Sequence, residues 1–162
     1  MRLATIRFGE IDIDESKAIL FKAGILGFEH LKRYVFLLQD KGILFWWLQS
    51  VDDGSVAFVV TNPFVIKPDY KPVIQDNDLE LLQVELPQDI FLMSIVTIRP
   101  DPFKVTANLR APIVINSKNK LAKQIILDRP DYPIQYSIMD NKLILGEEFY
   151  REEEMIASAL AI

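Results

Sequence analysis

Phe45-Trp46-Trp47-Leu48-Gln49-Ser50, then Asp52-Asp53-Gly54, then Val56-Ala57-Phe58-Val59-Val60-Thr61: two runs rich in aromatic and β-branched residues flank an Asp-Gly turn. That arrangement reads as a β-hairpin. The same signature recurs on both sides of it. Upstream, Leu3 to Phe8 reads as a short strand stopped by Gly9, and Tyr34 to Gln39 as another closed by Asp40-Lys41-Gly42. Downstream, Ile90 to Ile98, Phe103 to Leu109, Ile113 to Asn116 and Lys123 to Leu127 read as four more, separated by turns rich in proline. Short strands at this spacing predict a mainly β fold, a small antiparallel barrel-like or sandwich domain.

Little of the chain has helical period. Asp76 to Val84 predicts one or two turns with Asp76 or Asn77 as N-cap. Glu147 to Ile162 has acids in its first two turns and an apolar stripe of Phe149, Ile156 and Leu160, which predicts an acidic helical or flexible tail. The expected organisation is therefore one β domain over residues 1–146 and a tail over 147–162.

A chain of 162 residues, half of them apolar, buries a sizeable core without disulfides, and it has no cysteine. The start of the chain reaches Glu10 and Asp12 without a long apolar run, and no window is apolar enough to span a bilayer. Cytoplasmic residence is the expectation. The net charge of −5 disfavours direct nucleic-acid binding, since phosphate neutralisation supplies most of that affinity. Acids gather at Glu10, Asp12, Asp14 and Glu15, again from Asp69 to Asp89, and in the tail; Phe103 to Leu127 has none. Such clusters favour basic protein partners, although a solvated face explains the same charges.

Catalytic motifs fail one by one. His30 is the single histidine, so a transition-metal site lacks its usual ligands. The run from Asp12 has Lys17 where a calcium loop needs glycine and Ala23 where it needs glutamate, and the run from Asp76 has Leu81 at the glycine position. Gly24-Ile25-Leu26-Gly27 has apolar inner residues, unlike a loop that clamps RNA. No phosphate-binding loop or nucleophile elbow is present. No enzyme and no cofactor are expected. Trp46 and Trp47 are neighbours on a strand and so face opposite ways; the sequence leaves open which enters the core.

Five segments carry a resemblance. Phe21 to Glu29 resembles the Phe, two residues, Gly-Ile-x-Gly-Phe-Glu motif of the FliW family, with Leu26 where many members have proline. Phe45 to Asp53 resembles that family's Trp-Leu-Gln-Ser segment, and Ala57 to Phe64 with Pro68-Asp69-Tyr70 its next block. Val105 to Asn116 and Lys123 to Leu127 are similar to the remaining two, in the same order. The segments span roughly residues 3 to 137.

The resemblance implies a small antiparallel β-barrel and two competing protein partners. One is flagellin. The other is CsrA, an RNA-binding repressor of flagellin translation that the family member holds until flagellin displaces it. The glycines Gly24 and Gly27 are expected to set backbone geometry, and Gln49, Asn108 and Asn116 to satisfy backbone groups at strand ends. The expected partner-binding residues are Glu10, Asp12, Asp14 and Glu15, then Asp69 and Tyr70 in an exposed loop, then Asp76, Asp78 and Glu80, where acidic charge would steer a basic partner. The free protein is expected to be monomeric. The alternatives are a β-sandwich domain binding a small ligand or carbohydrate on an exposed tryptophan, and a nucleic-acid binder using Phe103 to Leu127.

Overall fold

The computed structural model describes residues 1–38, 45–100 and 103–138. Its elements are β1 (Arg2–Thr5), β2 (Gly9–Asp12), β3 (Ile19–Phe21), β4 (Arg33–Leu38), β5 (Phe45–Ser50), β6 (Ala57–Thr61), α1 (Pro63–Ile66), α2 (Asp76–Leu81), β7 (Ile90–Pro100), β8 (Phe103–Ala107), β9 (Ile113–Asn116), β10 (Leu121–Gln124) and β11 (Tyr136–Ser137). The tail over 147–162 lies outside the described residues.

The order β7-β6-β5-β4-β3-β10-β9 returns to β7, closing a barrel of seven strands, and β8 and β11 extend the sheet from the second half of β7. β5 and β6 pair as the Asp-Gly turn predicts, with Trp47 opposite Val59. The ladders are antiparallel apart from β3 with β10. One buried cluster draws Ile19, Phe21, Tyr34, Leu48, Val60, Met93, Ile113, Ile115 and Ala122 from all seven closing strands, so it fills the barrel interior. The second lies on the other face, where Phe45, Trp47, Val59, Val96, Val105 and Val114 meet Ile66, Tyr70 and Leu82 from the connecting segments. Alternation along each strand explains the division, and Trp46 and Trp47 fall on opposite faces accordingly.

β1 and β2 form a separate hairpin laid against the barrel. The Ile6 amide donates to the Gly54 carbonyl at 3.1 Å, and Phe8 meets Trp47 edge-on at 5.7 Å between ring centres. Gly54 is required here by contact. A Cβ at that position would lie 1.8 Å from the Ala4 carbonyl oxygen.

The structure corrects several expectations. Leu3 to Phe8 is not one strand: the chain turns after Thr5, whose hydroxyl donates to the Gly9 carbonyl and accepts from the Phe8 amide, and Gly9 starts β2 at φ +65°. The last barrel strand runs over Leu121–Gln124 rather than from Lys123, while Ile125 and Leu127 bond to the Pro112 and Arg110 carbonyls outside a ladder. β3 and α1 have no counterpart in the sequence expectation. Asn62-Pro63 breaks the strand by starting a helix: Asn62 accepts the Phe64 amide at 2.9 Å and Pro63 takes the first turn, where its missing N–H has no penalty. α2 is capped at Gln75, not Asp76 or Asn77, and ends at Leu81 before Gln83 adopts φ 55°.

Candidate partner-binding surface

Polar residues inside the family-like segments serve the backbone. Gln49 is buried, and its amide nitrogen donates to the Ser50, Gly54 and Val56 carbonyls, which stitches the tight turn of the β5–β6 hairpin. Asn108 accepts the Arg110 and Ala111 amides, and Asn116 donates to the Leu82 carbonyl while accepting the Lys118 amide. Gly24 and Gly27 adopt φ +71° and +88°, so their expected geometric role holds. A Cβ on Gly24 would lie 2.5 Å from the Glu29 Cα.

Tyr70 contradicts the expectation of an exposed loop residue. It is 2% exposed, its hydroxyl donates to the Leu109 carbonyl at 2.7 Å, and its ring packs edge-on against Tyr132. A phenol can bury its ring where the hydroxyl finds a carbonyl, and that is what happens here. Burial holds its hydroxyl well above the ordinary phenol range. Asp69 beside it remains exposed and takes a 3.0 Å ion pair from Lys67, whose ammonium draws its carboxyl below the usual carboxylate range. Tyr70 is therefore a framework residue, and Asp69 keeps the surface.

The remaining expected acids are distributed over three elements. Glu10 and Asp12 stand on β2 and face Arg2 across the hairpin at 3.2 and 3.5 Å. Asp14 caps the short turn Glu15–Lys17, accepting from the Ser16 hydroxyl and amide, and those bonds lower its carboxyl below the usual range. Asp78 is mostly covered and paired to Lys123 at 2.6 Å. Asp76 and Glu80 are exposed on α2 and have no ion pair among the described residues. No hydrogen bond or ion pair joins the first acidic group to the second among the described residues. The acid-free stretch is partly spent internally as well: Arg110 donates to the Tyr132 and Pro130 carbonyls, and Lys123 answers Asp78.

An apolar groove of about 720 Å³ opens beside β7, lined chiefly by Phe36, Trp46, Phe64, Ile74, Phe91 and Met93. Trp47 is 2% exposed in the outer cluster, whereas Trp46 is half-buried and lines the groove. Phe64 and Phe91 stand on its rim at 41% and 38% exposure. The sequence expectation missed this site, because each lining residue reads as ordinary core. The available signal was Trp46 alternating with the buried Trp47 on a strand next to one carrying Phe36.

Among the described residues no three histidine or acid side chains gather to hold a metal, and no helix is long and apolar enough to cross a membrane. A family model described as FliW protein matches residues 2–138. The flagellar assembly factor FliW of Syntrophus aciditrophicus (strain SB) is 49% identical over 151 residues, covering 93% of this chain and 96% of that protein. The flagellar assembly factor FliW of Alkaliphilus metalliredigens (strain QYMF) is 45% identical over 141 residues, covering 86% and 87%. A crystal structure of the flagellar assembly factor FliW aligns with a TM-score of 0.77 at 38% identity, over 88% of this chain and 99% of that one.

Proposed function

The chain belongs to the FliW family, and from that premise we propose that it is a cytoplasmic, non-enzymatic flagellar assembly factor that works by exchanging protein partners. In this reading it binds a CsrA-type RNA-binding repressor and so relieves repression of flagellin synthesis. Flagellin, once it accumulates, takes the protein away and frees the repressor. The observation that carries the proposal is the match of the family model over residues 2–138, which is the whole β domain described. The switch is a competition between two binding equilibria, with free flagellin as the signal.

The acids Glu10, Asp12, Glu15, Asp69, Asp76 and Glu80 are assigned to the repressor, because they are exposed and a protein that binds RNA presents basic surface. Glu10, Asp12 and Asp69 carry surface ion pairs with Arg2 and Lys67 that a partner can exchange, whereas Asp14 is committed to capping Ser16 and Asp78 is mostly covered beside Lys123, so those two are secondary in this assignment. The test is co-purification from a flagellated bacterium's lysate with mass identification of what elutes. Flagellin and a CsrA-type protein in the eluate support the proposal; reproducible absence of both contradicts it.

A further inference from the structure

β7 is longer than the strand beside it. β6 pairs with it only from Val59 opposite Val96 to Thr61 opposite Ser94, after which the chain leaves into Asn62 and α1. On its other edge the first part of β7, Ile90 to Met93, pairs with β9. On the β6 side, Ile90 to Met93 has no strand partner among the described residues. The groove runs along this stretch, since four consecutive residues, Ile90 to Met93, all line it. Neighbours on a strand point to opposite faces, so a cavity touching four in a row touches the strand's edge rather than one face. An open strand edge is a template for another strand.

The surroundings say what such a strand would carry. The groove's side-chain lining is apolar except for Asn62, whose oxygen is already occupied by the Phe64 amide. A small polar ligand would find no converging side-chain groups there to orient it. The stretch from Pro72 to Ile98, which supplies Ile74, Phe91 and Met93, contains Asp76, Asp78, Glu80, Glu85 and Asp89 and no lysine or arginine. Asp78 is answered by Lys123 and Glu85 by Lys118, while Asp76, Glu80 and Asp89 have no ion pair among the described residues, so the remaining charge of this segment favours a cationic occupant.

We propose that the open edge of β7 at Ile90–Met93 receives an extended segment of a protein partner by strand addition, in the place β6 vacates after Thr61. The segment alternates apolar and other residues, seats its apolar row against Phe36, Trp46 and Phe91, and carries lysine or arginine to suit the acids of the segment that borders the groove through Ile74, Pro87 and Ile90. Main-chain bonds to β7 supply affinity, and the apolar pockets supply selection. The inference rests on the partner-binding reading above and gives it a surface.

The test uses the full chain and three synthetic peptides of one composition, with Trp46 emission as the readout and a Trp46→Phe variant as its control. One peptide alternates Val/Ile with Lys, one is the same peptide N-methylated at alternate amides, and one is rearranged with its apolar residues at helical spacing. The alternating peptide is expected to shift Trp46 emission to the blue, with N-methylation on the bonding edge weakening binding at least tenfold. Phe91→Asp and Phe64→Asp alter only rim residues, so they are expected to keep the native melting temperature and lose the same binding. Preferential binding of the helical peptide, no binding of the alternating one, or undiminished binding by both rim variants overturns the inference. Wild-type protein that binds the peptide but neither flagellin nor the repressor would refute the functional reading and leave the edge site standing.

Discussion

The Tyr70 hydroxyl donates to the Leu109 carbonyl at 2.7 Å, joining two segments 39 residues apart in the chain. The bond ties the loop after α1 to the turn between β8 and β9, and Tyr132 packs against the same ring from the loop after β10. Tyr132 in turn accepts the Lys71 amide on its hydroxyl at 2.9 Å. Three connections that would otherwise be independent thus share one buried knot, and they support one flank of the groove through Phe64, whose ring lies 5.6 Å from that of Tyr70.

Tyr70→Phe removes a buried hydrogen bond and is expected to destabilise the fold by about 1–2 kcal/mol. Tyr34→Phe is expected to do the opposite or nothing, because the Tyr34 hydroxyl is buried with no hydrogen-bond partner among the described residues. Urea unfolding of both variants checks the contrast. Equal losses in the two would contradict it.

Alkaline stability should depend on Tyr34. Burial first, and the nearby Asp52 carboxylate second, push its hydroxyl up to about 12 from an unfolded value of about 10. The folded state therefore holds the proton more tightly. That contribution is complete below about pH 10 and is lost as pH rises toward about 12, on the order of 2–3 kcal/mol in all. The stability lost between pH 9.5 and 11.5 should be smaller in Tyr34→Phe than in the parent protein.

Glycine positions offer a sharper test of geometry. Gly54→Ala puts a methyl into the Ala4 carbonyl, and the contact is backbone on backbone, so the β1–β2 hairpin must lift. A loss of at least about 2 kcal/mol is expected, the scale of an overpacked core. Hydrogen exchange should show faster exchange of the Ile6 amide, which bonds to Gly54. Gly24→Ala combines a positive φ with a 2.5 Å clash and should be at least as severe.

The β-class and the central hairpin were legible in the sequence because the Asp53-Gly54 turn and the runs of aromatic and β-branched residues beside it act locally. Tyr34 to Gln39 and Ile90 to Ile98 were legible for the same reason. β3 escaped because three residues, Ile19–Phe21, carry no readable period, and they become a strand only through partners in β4 and β10. The ring closure of β9 onto β7 is likewise a long-range fact. Tyr70 was misplaced because Pro-Asp-Tyr reads as a polar turn, while the carbonyl that accepts its hydroxyl lies far along the chain. The strand-end roles of Gln49, Asn108 and Asn116 were anticipated, since amides at strand ends face the orphan groups of turns. The groove was not, because an open edge is a difference in length between two strands.

Charge steering gives a kinetic prediction. Asp12→Lys with Glu15→Lys reverses two exposed acids while sparing the Asp14 cap. Association with a CsrA-type repressor should slow in the variant at low salt, and the gap should close as ionic strength shortens the Debye length to about 8 Å and below. Stopped-flow traces at two salt concentrations measure it. Identical on-rates at low salt would move the repressor interface away from β2 and the turn that follows.

A displacement titration shows whether flagellin and the repressor exchange on this protein. Flagellin is added to a preformed complex of this protein with the repressor, and free repressor is followed by its binding to labelled leader RNA. Release of the repressor in step with flagellin, with RNA binding restored near one flagellin per complex, is the predicted result. A stable ternary complex in which flagellin binds and the repressor stays, with neither affinity reduced, would rule out partner exchange.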